Sequence, residues 1–219
     1  LFGSSLAAGD VNGDRRADLL VGVAAEDVGA VRDAGAVTVL RGSAAGLTGA
    51  GSPQITQDSP GVPGSARQGA AFGAALAVGN HNGDGYGDLV VGAPGETIGQ
   101  AASAGTVTVL YGASTGPVTA GSRHFHQNTR GVADRSEAGD RFGSEVRAVP
   151  VGAGRLDTLV VGVPDEVLRG AGEEFSGEGA IVLLRAGSGG LTGPGSRLLT
   201  AADFGDKPVR QGWFGTRLG

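Results

Sequence analysis

Cysteine and methionine are both absent from the 219 residues. Without cysteine there are no disulfides, no thiolate metal sites and no cysteine nucleophile. No apolar run approaches the roughly 18 residues of a membrane-spanning helix. Acidic residues outnumber basic ones, and the formal net charge is -5. This balance disfavours binding to the phosphates of a nucleic acid. We therefore expect no nucleic-acid partner and no membrane span.

Aromatic residues make up only 5% of the chain, whereas glycine accounts for 44 residues. The glycines follow no G-X-Y period, so a collagen triple helix is excluded. Short apolar runs such as 19–21 and 107–110 recur, which excludes disorder, and no stretch has helical periodicity. The sequence therefore predicts an all-β fold of short strands joined by glycine turns. The bias towards Arg, Ala and Gly is typical of high-GC coding DNA and favours a bacterial source.

A Phe-Gly dipeptide recurs every 70 to 72 residues, as repeat architectures require. We predict one repeat domain over 1–219, with units at 2–71, 72–141 and 142–213 and the start of a fourth at 214–219. Each unit has a strand of small residues, a polar turn, an apolar strand ending in glycine, a loop and a third strand. We expect the fourth strand at 53–57, 123–127 and 197–200.

Four short antiparallel strands per unit are typical of a β-propeller blade. The apolar runs of the second strands fit a strand that neighbouring blades cover on both faces. Propellers have about 4–8 blades, so three units are expected to be part of a larger ring. The remaining blades would come either from a longer protein or from a second copy of the chain.

In the first two units, the turn between the first and second strands contains candidate metal ligands. Side-chain oxygens stand at positions 1, 3, 5 and 9 of the segments 10–18 and 80–88. This spacing lets one tight loop wrap a hard cation, with a backbone carbonyl at position 7 and water completing the shell, and Ca²⁺ suits such irregular oxygen sites. The expected side-chain ligands are Asp10, Asn12, Asp14 and Asp18, then Asn80, Asn82, Asp84 and Asp88; the expected carbonyl donors are Arg16 and Tyr86.

These turns have two other interpretations. An EF-hand is excluded, because its twelfth position would fall inside a strand. Asx residues before glycine also form turns without metal, and that alternative stays open. The first loop has three carboxylates and the second has two, so we expect tighter calcium binding in the first. The third unit has Pro150 and Thr158 at matching positions, with Asp157 one residue out of register, so we expect no calcium there.

Phe-Gly, then Asp-x-Asn-x-Asp-x-x-x-Asp, then Leu-Val-Val-Gly-Ala-Pro at 89–94 resembles the FG-GAP repeat of integrin α-subunit propellers and their bacterial relatives. The resemblance implies a seven-bladed propeller with calcium in some hairpin loops, at the ligand positions given above. It also implies adhesion or ligand binding outside the cell. Three departures stand out: only three blades are present, the third metal loop is lost, and no von Willebrand-type insertion occurs.

We expect a non-catalytic, calcium-binding module, secreted or on the cell surface, that binds a protein or glycan through loops on one rim. The candidate contact loops are 26–33, 96–103 and 165–178, which vary while the strands repeat. A carbohydrate-binding propeller stays open, although Trp213, Tyr86 and Tyr111 do not occupy equivalent repeat positions. An accessory propeller of a secreted hydrolase, with its catalytic domain elsewhere, also stays open.

Catalysis within the chain is not expected. The three histidines are His81, His124 and His126, and no G-x-S-x-G elbow occurs. His81 lies inside the second metal loop at a non-ligand position. His124 and His126 lie two apart on a strand and share a face, which we interpret as an exposed outer strand rather than a metal site.

Overall fold

Short runs of small and apolar residues, separated by glycine turns, form strands along most of the chain. The computed structural model describes residues 2–151, 156–169, 174–175, 178–205 and 214–216. The strands of this part are β1 (Ser5–Gly9), β2 (Asp18–Val23), β3 (Ala36–Ser43), β4 (Gly46–Thr48), β5 (Gln54–Ile55), β6 (Ala75–Gly79), β7 (Asp88–Ala93), β8 (Thr106–Tyr111), β9 (Val118–Phe125), β10 (Glu145–Pro150), β11 (Asp157–Val163), β12 (Leu168–Arg169), β13 (Glu174–Phe175), β14 (Ala180–Gly187) and β15 (Gly190–Leu199). One 3-10 helix follows at Ala201–Phe204. No helix in the described ranges is long and apolar enough to cross a membrane.

Within the described residues, thirteen of the fifteen strands form three antiparallel sheets with the same order, and β12 and β13 form a separate two-stranded sheet. The first sheet runs β1-β2-β3-β4, with β5 also paired to β3; the second runs β6-β7-β8-β9 and the third β10-β11-β14-β15. Equivalent leucines pair in the second and third strands of each sheet, Leu19 with Leu40, Leu89 with Leu110 and Leu159 with Leu184. Each sheet is therefore a four-stranded propeller blade, and the predicted all-β propeller fold class is confirmed.

The outermost strands differ from their predicted positions. The fourth strand of the second blade is Val118–Phe125 and that of the third is Gly190–Leu199, so both begin before the predicted segments 123–127 and 197–200. In the first blade the fourth strand is split into β4 and β5. Glycine and proline in these segments obscure the strand pattern in the sequence, because an edge strand tolerates residues that a central strand does not.

Apolar side chains fill the spaces between the blades. One cluster includes Leu20, Phe72 and Leu89 and lies between the first two blades; another includes Phe142, Leu159 and Leu184 and lies between the second and third. Burying each such side chain stabilises the fold by about 1.5–3 kcal/mol. The second strand of the middle blade is buried on both faces, as its continuous apolar run predicts.

Glycines of the repeated motif set the distance between blades. A Cβ on Gly92, in β7, would stand 2.1 Å from the carbonyl oxygen of Gly143, which belongs to the Phe-Gly dipeptide of the next repeat. The backbone N–H of Gly143 donates to the carbonyl of Gly92 at 3.0 Å. The preceding residue, Phe142, is fully buried and its N–H donates to the carbonyl of Ala104 in the previous blade at 2.9 Å. The Phe-Gly dipeptide thus docks each blade on the blade before it.

The first blade leaves one face uncovered. Phe2 and Leu6 are 69% and 61% exposed, whereas their counterparts Phe72 and Leu76 are 0% and 6% exposed because the first blade packs over them. The same side chains are therefore core residues wherever a preceding blade is present. The exposed face is that of a blade without a neighbour on that side.

The antiparallel order places two kinds of loop on opposite rims. The segments 10–18 and 80–88 join the first and second strands, and the segments 26–33 and 96–103 follow the other end of the second strand. We call the first set the metal-loop rim and the second set the contact rim. The segments 26–33 and 96–103 each contain a tight backbone bridge, Val28 with Val31 and Ile98 with Ala101.

Candidate functional site

The first predicted metal loop is closed by its own oxygen-bearing side chains. Asp10 accepts the N–H of Gly13 at 2.6 Å through Oδ1 and the N–H of Arg15 at 2.7 Å through Oδ2. Asn12 and Asp14 each accept the N–H two residues further on, at 2.9 Å. These bonds draw three of the four predicted side-chain ligands into one tight turn.

The second loop repeats this pattern. Asn80 accepts the N–H of Gly83 at 2.7 Å, and Asn82 and Asp84 accept the N–H two residues further on at 3.0 Å and 2.9 Å. The side-chain N–H of Asn82 also donates to Asp84 Oδ2 at 2.8 Å. The two loops therefore share these three side-chain-to-backbone hydrogen bonds at the same place in two blades.

The ninth-position carboxylates fasten both loops to the sheets. Asp88 accepts the N–H of His81 at 2.7 Å and the N–H of Gly112, just after β8, at 3.0 Å. Asp18 accepts the N–H of Val11 at 3.2 Å and that of Gly42 at 2.9 Å. Both aspartates are buried. Burial raises the pKa of Asp88 to about 6, against the opposing effect of the hydrogen bonds from His81 and Gly112.

Each loop is also tied to the next blade. The N–H of Gly87 donates to the carbonyl of Asp10 at 2.8 Å, and at the next junction the N–H of Asp157 donates to the carbonyl of Asn80 at 2.8 Å. Asp157 in addition accepts the N–H of Asn80 through Oδ2 at 2.9 Å, and its carbonyl accepts His81 Nδ1–H at 2.7 Å. Asp157, which the sequence placed out of register, therefore supports the second blade's loop.

The chemical type of the ligand atoms in both loops suits a hard cation. The side-chain oxygens, however, accept hydrogen bonds from backbone N–H groups and do not converge on one point. All side-chain donors are oxygens, and the carbonyls of Arg16 and Tyr86 remain the expected seventh-position donors. Asp10, Asp14 and Asp18, all described in the structure, do not bring their carboxylate oxygens within 4.8 Å of one another as a set. The fit of the first loop to Ca²⁺ therefore rests on donor type and loop position.

Two of the histidines and one tyrosine lie in partly buried surroundings. His124 and His126 share a face, with ring centroids 6.0 Å apart, but both are partly buried rather than exposed as predicted. His124 Nδ1 lies 3.2 Å from Thr108 Oγ1, and burial followed by the proximity of His126 lowers the pKa of His124 to about 4. Tyr86 packs against the first loop, where a Cβ on Gly13 would stand 2.6 Å from Tyr86 Cε1. Trp213 lies outside the described residues.

The contact rim holds an acidic cluster that no sequence motif indicated. Ligand oxygens of Glu137, Asp140 and Glu166 all lie within 4.8 Å of one another, the one such set in the described part of the chain. Asp140 and Glu166 are 0% and 1% exposed. Burial, together with the neighbouring carboxylates, raises the pKa of Asp140 to about 7 and that of Glu166 to about 8.

Comparison with known proteins gives one family. The model of the FG-GAP repeat matches residues 2–40 and 72–110. Each matched segment runs from the Phe-Gly dipeptide through a predicted metal loop into the third strand of a blade. The third blade lies outside the matched segments, in keeping with its divergent loop. No curated protein matches the chain. The segments 2–40 and 72–110 thus match the FG-GAP repeat that their sequence resembles, and both lie in four-stranded propeller blades.

Proposed function

We propose that this chain is a non-catalytic, calcium-stabilised binding module, in which the metal-loop rim holds Ca²⁺ and the contact rim meets an extracellular protein or glycan. The observation that carries the proposal is the repetition of one loop in two FG-GAP repeats. Both loops present oxygen donors at positions 1, 3, 5 and 9, share one hydrogen-bond pattern and end in a buried aspartate.

Electrostatics favours a cation in the second loop. Asp88 is buried, and an ionised carboxylate in such a position is unfavourable without a nearby positive charge. The second loop itself carries no Lys or Arg. A bound Ca²⁺ would supply the missing positive charge. The first loop has one more carboxylate, but it also has Arg15 and Arg16, and Arg16 lies 3.8 Å from Asp14. The three carboxylates still favour the first loop as the tighter site.

The two loops also connect strands and blades. Asp18 and Asp88 join each loop to the end of the third strand in its own blade, and the carbonyls of Asp10 and Asn80 accept an N–H from the next blade. A loop held rigid therefore fixes both a blade and a blade junction. Extracellular calcium is millimolar, which fills sites of modest affinity and supports a role outside the cell.

The contact rim is the surface that we expect to meet a partner. The contact-rim segments 26–33 and 96–103 are short, bridged turns displayed on a rigid scaffold, which is where binding residues are commonly found. Residues 170–173 and 176–177 of the third contact loop, 165–178, lie outside the described residues. The uncovered face around Phe2 and Leu6 fits a further blade or a second copy, since the same positions are buried at the internal junctions.

Thermal melts in excess EDTA, in millimolar Ca²⁺ and in millimolar Mg²⁺ test the proposal. Ca²⁺ should raise the melting temperature more than Mg²⁺, and Asp14→Ala and Asp84→Ala should each reduce the rise. Asp58→Ala, at an exposed aspartate outside both loops, is the matched control and should leave the calcium-dependent rise intact. Equal melts in all three solutions would show that the loops are metal-free Asx turns.

A further inference from the structure

The strongest unexplained feature is the acidic cluster between the second and third blades. Glu137 and Asp140 precede the Phe-Gly dipeptide of the third repeat, and Glu166 follows β11. The side-chain N–H of Gln127 donates to Glu166 Oε2. Asp140 accepts the N–H of Glu137 through Oδ2, but its Oδ1 is buried without a hydrogen-bond partner. An orphaned, fully buried carboxylate oxygen costs free energy unless something binds it.

The preceding junction shows the same arrangement with its charge balanced. There Gln57 donates to Glu96 at 2.9 Å, and Arg67 Nε lies 3.2 Å from Glu96 Oε1. Gln57, Arg67 and Glu96 are each 70 positions before Gln127, Glu137 and Glu166, and Ala70 is 70 positions before Asp140. A guanidinium and a methyl group are thus replaced by two carboxylates. The glutamine Oε1 lacks a hydrogen-bond partner at both junctions. The unpartnered oxygen that distinguishes the second junction is therefore Asp140 Oδ1.

The surrounding cations do not restore the balance. Arg135 pairs with Glu137 at 2.5 Å on the exposed side of the cluster, and Arg141 pairs with Asp165. Asp134 adds a further negative charge nearby. Within the described ranges no basic side chain forms an ion pair with Asp140 or Glu166. Two buried carboxylates therefore lack the positive charge that the preceding junction provides.

We propose that a divalent cation, Ca²⁺ in preference to Mg²⁺, binds at this junction to Glu137, Asp140 and Glu166, in the place that the Arg67 guanidinium takes one blade earlier. Gln127 Oε1, which is buried and unpartnered beside Glu166, is the fourth candidate ligand. Oxygens at about 2.3–2.6 Å from a Ca²⁺ ion lie up to roughly 5 Å apart, and the cluster oxygens lie within 4.8 Å. The site is on the contact rim, opposite the predicted metal loops, and does not depend on them.

The test uses the whole chain with both metal loops disabled by Asp14→Ala and Asp84→Ala. In calorimetric titration this parent should bind one equivalent of Ca²⁺, with Mg²⁺ at least tenfold weaker. Replacing Glu137→Arg and Asp140→Ala copies the preceding junction. This variant should lose the binding, and it should melt in EDTA at or above the temperature of the parent. Asp140→Asn, which keeps the side-chain shape, should bind Ca²⁺ at least tenfold more weakly and serves if the double variant does not fold.

Two results would overturn the proposal. One is a loop-disabled parent that binds no Ca²⁺ and is stabilised by acidification alone, since protons would then neutralise the cluster. The other is Ca²⁺ binding that neither set of cluster substitutions weakens. Failure of the metal-loop proposal gives a different result, because Asp14→Ala and Asp84→Ala would then remove no calcium binding from the unmodified chain.

Discussion

Gly92→Ala tests how the repeated motif packs one blade on the next. The new Cβ would stand 2.1 Å from the carbonyl oxygen of Gly143, and both groups are backbone-anchored, so the two blades must move apart by more than 1 Å to reach a normal contact of about 3.4 Å. Such overpacking costs roughly 1–3 kcal/mol. The Gly143 N–H bond to the Gly92 carbonyl, 3.0 Å long, would also be weakened, at about 0.5–1.5 kcal/mol.

The replacement also has a stabilising effect, because alanine lowers the conformational entropy of the unfolded chain. This effect adds about 0.4–1 kcal/mol to the free energy of unfolding. The expected net loss in free energy of unfolding is therefore about 1–4 kcal/mol. Gly49→Ala is the matched control: its Cβ would meet only Leu40 Cδ2, at 3.9 Å, so it should be neutral or slightly stabilising. Urea unfolding followed by circular dichroism measures both. Equal midpoints for the two variants would refute the account of blade packing.

Two further predictions concern backbone strain and pH. Arg15 has φ +67° at the position where the second loop has Gly85 at φ +92°. Because relief of this strain exceeds the entropic cost of glycine, Arg15→Gly should raise the free energy of unfolding of the calcium-loaded chain by about 0.5 kcal/mol. Urea unfolding in millimolar Ca²⁺ checks this, and a lower midpoint for the variant contradicts it. The pKa of His124 is lowered from 6.5 to about 4. Neutral His124 therefore makes its full contribution to the free energy of unfolding above pH 6.5. That contribution falls by up to about 3 kcal/mol as the pH drops towards 4. Urea unfolding at pH 7 and pH 4 should show a larger acid loss for the native chain than for His124→Gln, and equal losses would exclude this histidine as the cause.

The repeat and its strand order could be predicted from the sequence, because the Phe-Gly dipeptide and the apolar run ending in glycine are local signals. The structure explains both: Gly92 and Gly143 touch across a junction, and Phe142 docks on the previous blade. The outer strands were predicted less well. Their pairing partners lie in one neighbouring strand only, and glycine and proline within them obscure the strand pattern.

The metal loops could likewise be predicted as loops, since their donors lie within nine consecutive residues. Their links to neighbouring blades could not be, because Asn80 and Asp157 are 77 positions apart. The acidic cluster was missed for the same reason: Gln127 and Glu166 are 39 positions apart. One signal was available in the repeat alignment, where Arg67 is replaced by Glu137 and Ala70 by Asp140.

Direct measurement of calcium bound to the metal loops tests the central claim. Equilibrium titration of the chain with Glu137→Arg and Asp140→Ala removes the contact-rim cluster, so any remaining calcium must be held elsewhere. The account predicts two equivalents of Ca²⁺, one lost with Asp14→Ala and the other, weaker one lost with Asp84→Ala. Absence of calcium binding at millimolar concentration, or binding that both substitutions leave unchanged, would contradict it.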